Sequence, residues 1–304
     1  MARHNLVFLH GYVSLVQIHS LSNGQPYALA YIAVSRADRP IGDRREHMHC
    51  DRPTVMSRDP QIIREMATWN EYDIVSIKGT LAVKPVGKKS TCPDEDCQAD
   101  KVHPGSLVYI NPIYAKKVGH VENDDIGMNY LAEHREISNQ AYIFGTLCTD
   151  PKKVTLKEGL IVTQYQIALN RKFHIQADPP EVRADYPWVK SYGENALSDR
   201  RYLHIGSQIF IDGLIQARKV MRHTKCDECG KKYDFRDRAM EIVPYETEYI
   251  ANFYTKEEVE AKEAAYAHEQ AMSVLSTLTG YSIPDDKYTP EDIEAGIESE
   301  DITN

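Results

Sequence analysis

Two pairs of cysteines have the spacing of metal ligands. Cys226 and Cys229 stand in the run Cys-Asp-Glu-Cys-Gly, and the first pair is Cys92 and Cys97. Turns of this length let two thiolates approach one tetrahedral zinc ion, and the glycine after Cys229 permits a left-handed backbone. Each pair supplies two of the four ligands that a structural zinc site needs. The sequence therefore predicts zinc as a structural cofactor.

Three completions of the ligand set are consistent with this spacing. The two pairs can meet in a single site with four thiolate ligands. Histidines can instead complete each pair, with His103 or the run from His47 to Cys50 serving the first pair and His223 the second. In the third case the sites have decayed and bind no metal. The sequence leaves these alternatives open.

The run His47-Met48-His49-Cys50 invites a different interpretation, a catalytic metal site in a nuclease. It lies in a polar segment that reads as a loop. The chain has no HExxH motif, no paired-carboxylate motif and no phosphate-binding glycine loop. The second half of the chain has no equivalent cluster. We therefore expect no enzyme, and a metal-dependent nuclease is the weaker alternative.

A further set of residues suits the binding of a single-stranded nucleic acid. Such a ligand needs cations along its phosphates and flat rings on which its bases stack. The chain has 19 tyrosines against 6 phenylalanines, and tyrosine suits a ring that stays half wet. The candidate rings are Phe173, at a strand end, and Tyr186, Trp188 and Tyr192, whose shared parity places them on one face of an uninterrupted strand. The candidate cations are Arg36, Arg39, Arg44, Arg45, Arg171, Lys172, Arg218 and Lys219.

An internal repeat indicates how these residues are positioned. The interval from Gly11 to Gly145 equals the interval from Gly79 to Gly213. Each cysteine pair also begins at the same distance along the chain after the second glycine of its copy. Self-similarity at a fixed offset indicates a duplicated domain. We expect copies over 1–120 and 137–254, joined by a polar linker over 121–136.

Each copy reads as strands with one short helix. The strands are rich in β-branched and aromatic residues, and the helix precedes the strand that contains Gly79 or Gly213. A bending glycine at a barrel corner suits a small five-stranded OB barrel. The fold class we predict is mostly β, with two tandem OB barrels; another small all-β barrel or sandwich is the alternative.

The end of the chain differs from the two copies. Residues 255–304 hold three lysines, no arginine and thirteen Asp or Glu, a net charge of −10 within a total of −9. We expect a helix over 255–280 and a disordered acidic tail over 281–304. No apolar run is long enough for a membrane span, and no signal peptide is evident, so a cytoplasmic location is expected.

The second copy resembles the bacterial single-stranded-DNA-binding proteins. The run YQIALNRKF (165–173) is similar to that family's third-strand signature, and residues 185–218 are similar to its central block of aromatic strand, helix and glycine-bent strand. The resemblance implies that Tyr186 and Tyr192 are stacking aromatics, because they stand where the family places such rings. The first copy keeps only part of this pattern. The chain departs from the family at Val220, where an aromatic is frequent, in its cysteine pairs, and in a C-terminus without Pro-Phe.

The resemblance implies a non-catalytic protein that binds and protects single-stranded DNA in replication, recombination or conjugative transfer. Two barrels per chain would make a homodimer equivalent to four barrels, the family's usual number. The acidic tail is a candidate site for replication or recombination proteins. The rival interpretation is an OB and zinc protein-interaction scaffold within a replication or transfer machine.

Overall fold

The first half of the chain forms a β-barrel. A computed structural model describes residues 4–21, 23–41, 49–155, 161–171, 175, 182–251, 258, 260, 261, 264–268 and 270–272. The elements of the first half are β1 (Asn5–Ser20), β2 (Pro26–Ser35), β3 (Cys50–Asp51), β4 (Thr54–Ser57), α1 (Pro60–Met66), β5 (Asp73–Thr91) and β6 (Asp100–His120).

Five of these strands close into a ring in the order β1, β5, β6, β4, β2 and back to β1. Strand β1 pairs antiparallel with β5 through its first half and with β2 through its second, and β2 pairs antiparallel with β4. Strands β4 and β6 are parallel, with Val55 opposite Ile110. Helix α1 begins at Pro60, after the Asp59 side chain accepts hydrogen bonds from two backbone N–H groups. Such a cap satisfies donors that the first turn leaves unpaired.

The segment predicted as a polar linker is helical. It forms α2 (Asp124–Glu133) and α3 (Arg135–Ser138), and both pack against the first barrel. Leu131 is buried there with Tyr12 and Ala33. The apolar stripe of α2 is short, and this is why composition alone indicated a linker.

The second half repeats the barrel. Its elements are β7 (Asn139–Leu147), β8 (Lys152–Thr155), β9 (Ile161–Asn170), β10 (Ala184–Asp185), β11 (Trp188–Tyr192), α4 (Gly193–Tyr202), β12 (Gln208–Lys225) and β13 (Lys232–Ala251). The ring runs β7, β12, β13, β11, β9 and back to β7. Val189 and Ile242 form the parallel pair that corresponds to Val55 and Ile110. The prediction of a mostly β chain with two five-stranded OB barrels and a helix before the fourth barrel strand is confirmed.

The glycine that each copy places on its fourth barrel strand allows a close approach between backbones. A Cβ atom at Gly79 would lie 2.7 Å from the carbonyl oxygen of Asn111, and one at Gly213 would lie 2.4 Å from that of Val243. Both distances are shorter than a van der Waals contact, so any side chain would push the neighbouring strand away. The sequence predicted that these glycines lie at a barrel corner. The structure shows in addition why the residue must be glycine: the neighbouring backbone leaves no room for a Cβ atom.

The two barrels share one continuous sheet. Strand β1 pairs antiparallel with β7, with Leu6 opposite Tyr142. The interiors are filled by alternating apolar side chains, among them Val7, Leu9, Ile143 and Ile211. Both barrels belong to one compact unit, which comprises Met1–Val83, Val108–Arg218 and Ala239–Phe253.

The second compact unit consists of Lys84–Leu107, Lys219–Arg238 and Tyr254–Asn304. Its first two segments are β-hairpins, which we call hairpin 1 (84–107) and hairpin 2 (219–238). The described residues between 258 and 272 are helical, in line with the predicted C-terminal helix, and the tail over 281–304 lies outside the described residues. No helix within the described part of the chain is long and apolar enough to cross a membrane.

Candidate nucleic-acid interface and candidate metal centre

The candidate stacking rings lie on and before β11. Trp188 and Tyr192 point to the outer side of the strand, because Val189 and Ser191 between them are buried. Tyr186 precedes the strand, and its carbonyl oxygen accepts a hydrogen bond of 2.9 Å from the Gln166 side chain. The Tyr186 side chain is 51% exposed. The exposed ring therefore extends from a backbone that is hydrogen-bonded to the Gln166 side chain of β9.

Tyr192 has a more enclosed position than its neighbours. Its hydroxyl lies 3.1 Å from the Gln216 side-chain oxygen, and its ring packs against a buried cluster that includes Leu214 and Val243. Only part of the ring remains accessible. Of the three aromatics that sequence parity grouped together, Tyr186 is thus the most open to a base.

Two of the predicted DNA-binding arginines are buried and bind carboxylates. Arg171 donates to Asp185 at 2.6 and 2.7 Å, and the two side chains are 6% and 1% exposed. Arg36 pairs with Asp51 at 2.8 Å, with exposures of 5% and 0%. A guanidinium in this position cannot reach a phosphate without leaving its carboxylate partner buried and unpaired. We therefore assign both arginines a structural role and leave them out of the proposed interface.

The carboxylates of these pairs also join the two barrels. The backbone N–H of Ala217 in the second barrel donates to Asp51 at 2.9 Å, and that of Val83 in the first barrel donates to Asp185 at 2.8 Å. Asp185 follows Asp51 at the same offset that relates the glycines of the repeat. This matched offset was the sequence signal for a structural pair.

Of the remaining predicted cations, Arg39 and Arg218 bind carboxylates, whereas Lys219 is exposed to solvent. Arg39 binds Asp212 through two hydrogen bonds of 2.8 and 3.0 Å and lies over the ring of Tyr245. Arg218 binds Glu241 and is 41% exposed. Lys219 is exposed. Four predicted site residues and two members of the histidine run lie outside the described residues: Arg44, Arg45, Lys172, Phe173, His47 and Met48.

Glu241 is a buried carboxylate between two cations. Burial opposes its ionisation, but the Arg218 guanidinium and the Lys190 ammonium hold its pKa below the ordinary value. The Lys190 contact is 2.9 Å. Lys190 on β11, Arg218 on β12 and the ionised Glu241 therefore form a group with a net positive charge, in which Arg218 remains partly accessible.

The equivalent surface of the first barrel is different. At the offset of the repeat, Tyr186, Trp188 and Tyr192 correspond to Arg52, Thr54 and Arg58. Helix α2 also contacts this region: Asp124 lies 3.7 Å from the Arg52 guanidinium and accepts a 2.6 Å hydrogen bond from the Tyr12 hydroxyl. The first barrel thus lacks the aromatic set and carries a helix beside the corresponding position.

The four paired cysteines meet within the second compact unit. The Sγ atoms of Cys92 and Cys229 are 3.7 Å apart, and those of Cys97 and Cys226 are 3.6 Å apart. All four sulfur atoms lie within 4.8 Å of one another. Tetrahedral zinc with Zn–S bonds of about 2.3 Å requires S–S separations of about 3.8 Å. The four cysteines can therefore hold one metal ion, which agrees with the first of the three predicted completions.

The histidines considered as alternative ligands have other partners. His103 is buried, contacts the Ser90 hydroxyl at 2.7 Å and stacks on Phe235. His223 is hydrogen-bonded to Asp234. Neither belongs to the cysteine group, so four thiolates form the ligand set that the structure supports.

The backbone of the Cys226 turn favours a thiolate. The N–H groups of Cys229 and Glu228 donate to the Cys226 sulfur and lower its pKa to about 7. For Cys97, the Ala99 N–H favours the thiolate, but burial and the neighbouring thiols raise the pKa to about 12. Four crowded sulfur atoms resist joint deprotonation, and a divalent cation would relieve this repulsion.

Contacts between hairpin 1 and hairpin 2 bring the cysteines together. Ser90 of the first contacts the Tyr233 hydroxyl of the second at 2.8 Å. Near the tips, Lys101 pairs with Asp227 at 2.8 Å and Lys231 pairs with Asp94 at 3.0 Å. The inner faces of the two hairpins therefore pack on each other, with the thiol cluster at one end.

Comparison with known proteins agrees with this architecture. Residues 138–235 match the model of the Single-strand binding protein family. This part of the chain resembles the single-strand binding proteins. The resemblance inferred from the sequence is thereby confirmed for the second barrel and hairpin 2. No curated protein sequence gives a significant match.

Solved structures extend the likeness to both barrels. A single-stranded DNA binding protein from Thermus aquaticus matches with a TM-score of 0.52 and 16% identity, over 84% of this chain and 97% of that one. A deletion mutant of the same protein matches with a TM-score of 0.51 and 16% identity, over 85% and 100% of the two chains. At this identity the likeness concerns the fold.

Proposed function

We propose that this chain binds single-stranded DNA without catalysis, through the outer side of β11 in the second barrel. The observation that carries the proposal is the exposed Tyr186 ring, two residues before Trp188 of β11. Lys190 of the same strand shares the Glu241 carboxylate with the partly accessible Arg218. Rings of this kind accept any base, and cations neutralise phosphates. The family match over 138–235 supports the same ligand.

A titration of labelled oligo-dT tests this function. We expect oligo-dT to bind at low salt and duplex DNA of the same length to bind more weakly, because paired bases cannot reach the rings. Affinity should fall as salt rises, since bound phosphates release counterions. If oligo-dT does not bind at low salt, the proposal is wrong. Cleavage of the oligonucleotide with added metal would instead support the nuclease alternative.

The cellular role that fits this activity is the coating of exposed single strands in replication, recombination or conjugative transfer. A sequence-tolerant surface of stacking rings suits such a role, because the exposed strand has no fixed sequence. Cross-linking in cells, followed by sequencing of the bound strands, would distinguish the three processes by where the protein accumulates.

The second candidate function is a protein-interaction scaffold, and helix α2 favours it. The first barrel carries α2 beside the position where the second barrel presents its rings, so this surface of the fold can bind a helix. A protein-interaction scaffold would not have to bind oligo-dT. The titration therefore distinguishes the two candidate functions: binding of oligo-dT by the wild-type chain would favour single-stranded DNA binding.

We also propose that the cysteine group binds one structural zinc ion. The ion would fix both hairpin tips, which have a small apolar core for their length. We expect one zinc per purified chain by elemental analysis and loss of it in Cys226→Ser. The matched control is Cys148→Ser, which removes a thiol outside the group and should leave the zinc content unchanged. Equal zinc in both variants would contradict the assignment.

A further inference from the structure

We infer that the four-cysteine group is a site of reversible oxidation, where a peroxide converts the thiolates into two disulfides that join hairpin 1 to hairpin 2. The two closest sulfur contacts run between the hairpins rather than within them. Cys92 of hairpin 1 contacts Cys229 of hairpin 2 at 3.7 Å, and Cys97 contacts Cys226 at 3.6 Å. The group is thus already sorted into two pairs, each of which would link both hairpins.

Each pair combines an accessible cysteine with a buried one. Cys229 is exposed and Cys97 is half-buried, whereas their partners Cys92 and Cys226 are 2% and 3% exposed. An oxidant can therefore reach one sulfur of each pair from solvent, and the other sulfur lies in contact with it. Cysteines that respond to oxidants have this arrangement, in which an accessible thiolate lies next to a resolving thiol. A purely structural metal site does not require it.

The reaction balances with hydrogen peroxide as the oxidant. The Cys229 thiolate attacks one peroxide oxygen, the O–O bond breaks, and a sulfenic acid and a hydroxide ion result. The Cys92 thiolate then attacks the sulfenic sulfur, which forms the S–S bond and releases a second hydroxide ion. The pair loses two electrons to the peroxide. Cys97 and Cys226 consume a second peroxide in the same way.

The contacts that align the hairpins do not involve the sulfur atoms. Lys101 pairs with Asp227 and Lys231 with Asp94 across the two tips. These ion pairs hold the strands in register when the thiols react. An S–S bond is about 2 Å long, so a small rotation of each cysteine side chain closes the pair.

Oxidation also has a consequence for a bound metal ion. Disulfide sulfurs are no longer thiolates, so an ion held by the group would lose its four ligands and leave. The release of zinc rests on the zinc site proposed above, whereas the disulfides depend only on the thiols. Two covalent links would then replace the ion as the connection between the hairpins.

Tryptic peptide mapping of the full chain after treatment with hydrogen peroxide tests the inference. Both cysteines of hairpin 1 fall in the peptide 90–101 and both of hairpin 2 in the peptide 226–231, because no lysine or arginine separates the members of either pair. Disulfides between the hairpins should therefore yield the two peptides as one linked species without reductant. Dithiothreitol should separate them, and a zinc-sensitive dye should report release of the ion as the link forms.

Two variants sharpen this test. Cys229→Ser removes the accessible sulfur of one pair, so the peptides should be linked by a single disulfide, between Cys97 and Cys226. Cys148→Ser is the matched control, because the Cys148 thiol contacts a backbone carbonyl oxygen outside the group. It should give the same doubly linked species as wild type.

The possible results separate the inference from the zinc proposal. Separate peptides with internal disulfides, or unchanged thiols, would overturn the inference even if the purified chain contains zinc. Loss of the linked species in Cys148→Ser would also overturn it. A linked species from a chain without zinc would support the oxidation site and contradict only the zinc assignment. The oligo-dT titration tests DNA binding independently of both.

Discussion

At the scale of single residues, Arg171 and Tyr186 show how a site residue differs from a residue that supports it. Both belong to stretches of the second copy that resemble the single-stranded-DNA-binding proteins, Arg171 to residues 165–173 and Tyr186 to residues 185–218. Arg171 is sequestered by Asp185, whereas Tyr186 presents its ring to solvent. Sequence could place both near a ligand, because it records residue type and spacing. It could not show that Asp185 of β10 binds the Arg171 guanidinium and thereby keeps it from a ligand.

Tyr186→Ala should weaken oligo-dT binding by about 1–3 kcal/mol, the usual contribution of one stacked base. This corresponds to roughly a 5- to 150-fold rise in Kd. Fluorescence titration at constant salt would measure it. Tyr114→Ala is the matched control, because Tyr114 is 53% exposed but lies on β6 of the first barrel. Equal affinities of Tyr186→Ala and wild type would show that the ring is not a stacking surface.

Arg171→Ala should act on stability rather than on DNA contacts. Removal of one partner from a buried pair leaves an uncompensated charge and costs about 3–5 kcal/mol. We expect a lower midpoint of urea unfolding, while the salt slope of binding by the folded variant stays at the wild-type value. Arg218→Ala, at a partly exposed position, should cost less. A reduced salt slope in Arg171→Ala would restore the arginine to the DNA-binding set.

At the scale of elements, a buried carboxylate ties helix α4 to three strands. Asp199 accepts hydrogen bonds from the hydroxyls of Ser191 on β11, Tyr165 on β9 at 3.0 Å and Tyr249 on β13 at 2.8 Å. The first barrel has no such carboxylate among the buried residues of α1, which are Ile63 and Met66. The corresponding helices of the two copies are therefore held by different contacts. Helix α1 packs through apolar side chains, whereas α4 is held by the hydrogen bonds of Asp199.

This network gives the protein a predictable dependence on pH. Burial raises the pKa of Asp199 to about 6. The Asp199 carboxyl therefore binds its proton more tightly in the folded state than in the unfolded chain. Its contribution to the free energy of unfolding is lost as pH rises through this range. Relative to Asp199→Asn, wild type should lose about 3 kcal/mol between roughly pH 4 and pH 7.

Urea denaturation of both proteins at several pH values would measure this difference. Asp125→Asn, at an exposed position of α2, is the control and should track wild type closely. A constant difference between wild type and Asp199→Asn across the range would contradict the role of the buried carboxylate.

At the scale of the whole molecule, the pairing of β1 with β7 leaves an aromatic outer face on the joint sheet. Phe8 and Tyr142 are in edge contact with ring centroids 6.3 Å apart, and Phe144 lies opposite Phe210. These rings are half-buried within one chain. Burial of such a face against a second copy would remove apolar surface from water.

We predict that the chain forms a homodimer through this face. Light scattering should give twice the chain mass of 34.7 kDa for wild type. Phe144→Glu should give the mass of a single chain, because a charge at the centre of the face opposes burial. Tyr114→Glu, on another surface, should remain dimeric. A monomeric wild type at micromolar concentration would contradict the prediction.

The sequence by itself determined the repeat, the closed five-stranded barrels and the cysteine pairs. These features depend on local alternation, on glycine positions and on spacing, which the chain order contains directly. It did not identify α2 as a helix on the first barrel, because that helix is stabilised by contacts with Tyr12 and Ala33 rather than by its own pattern.

Only the tertiary structure decided which partners meet. The four thiols form one group because hairpins from different copies pack together, and spacing alone left two other completions open. Arg36 and Arg171 became structural because Asp51 and Asp185 reach them across neighbouring strands and bind the opposite barrel. Contacts between residues distant in sequence depend on register and closure, so the same basic residue type can face solvent or stabilise the interior.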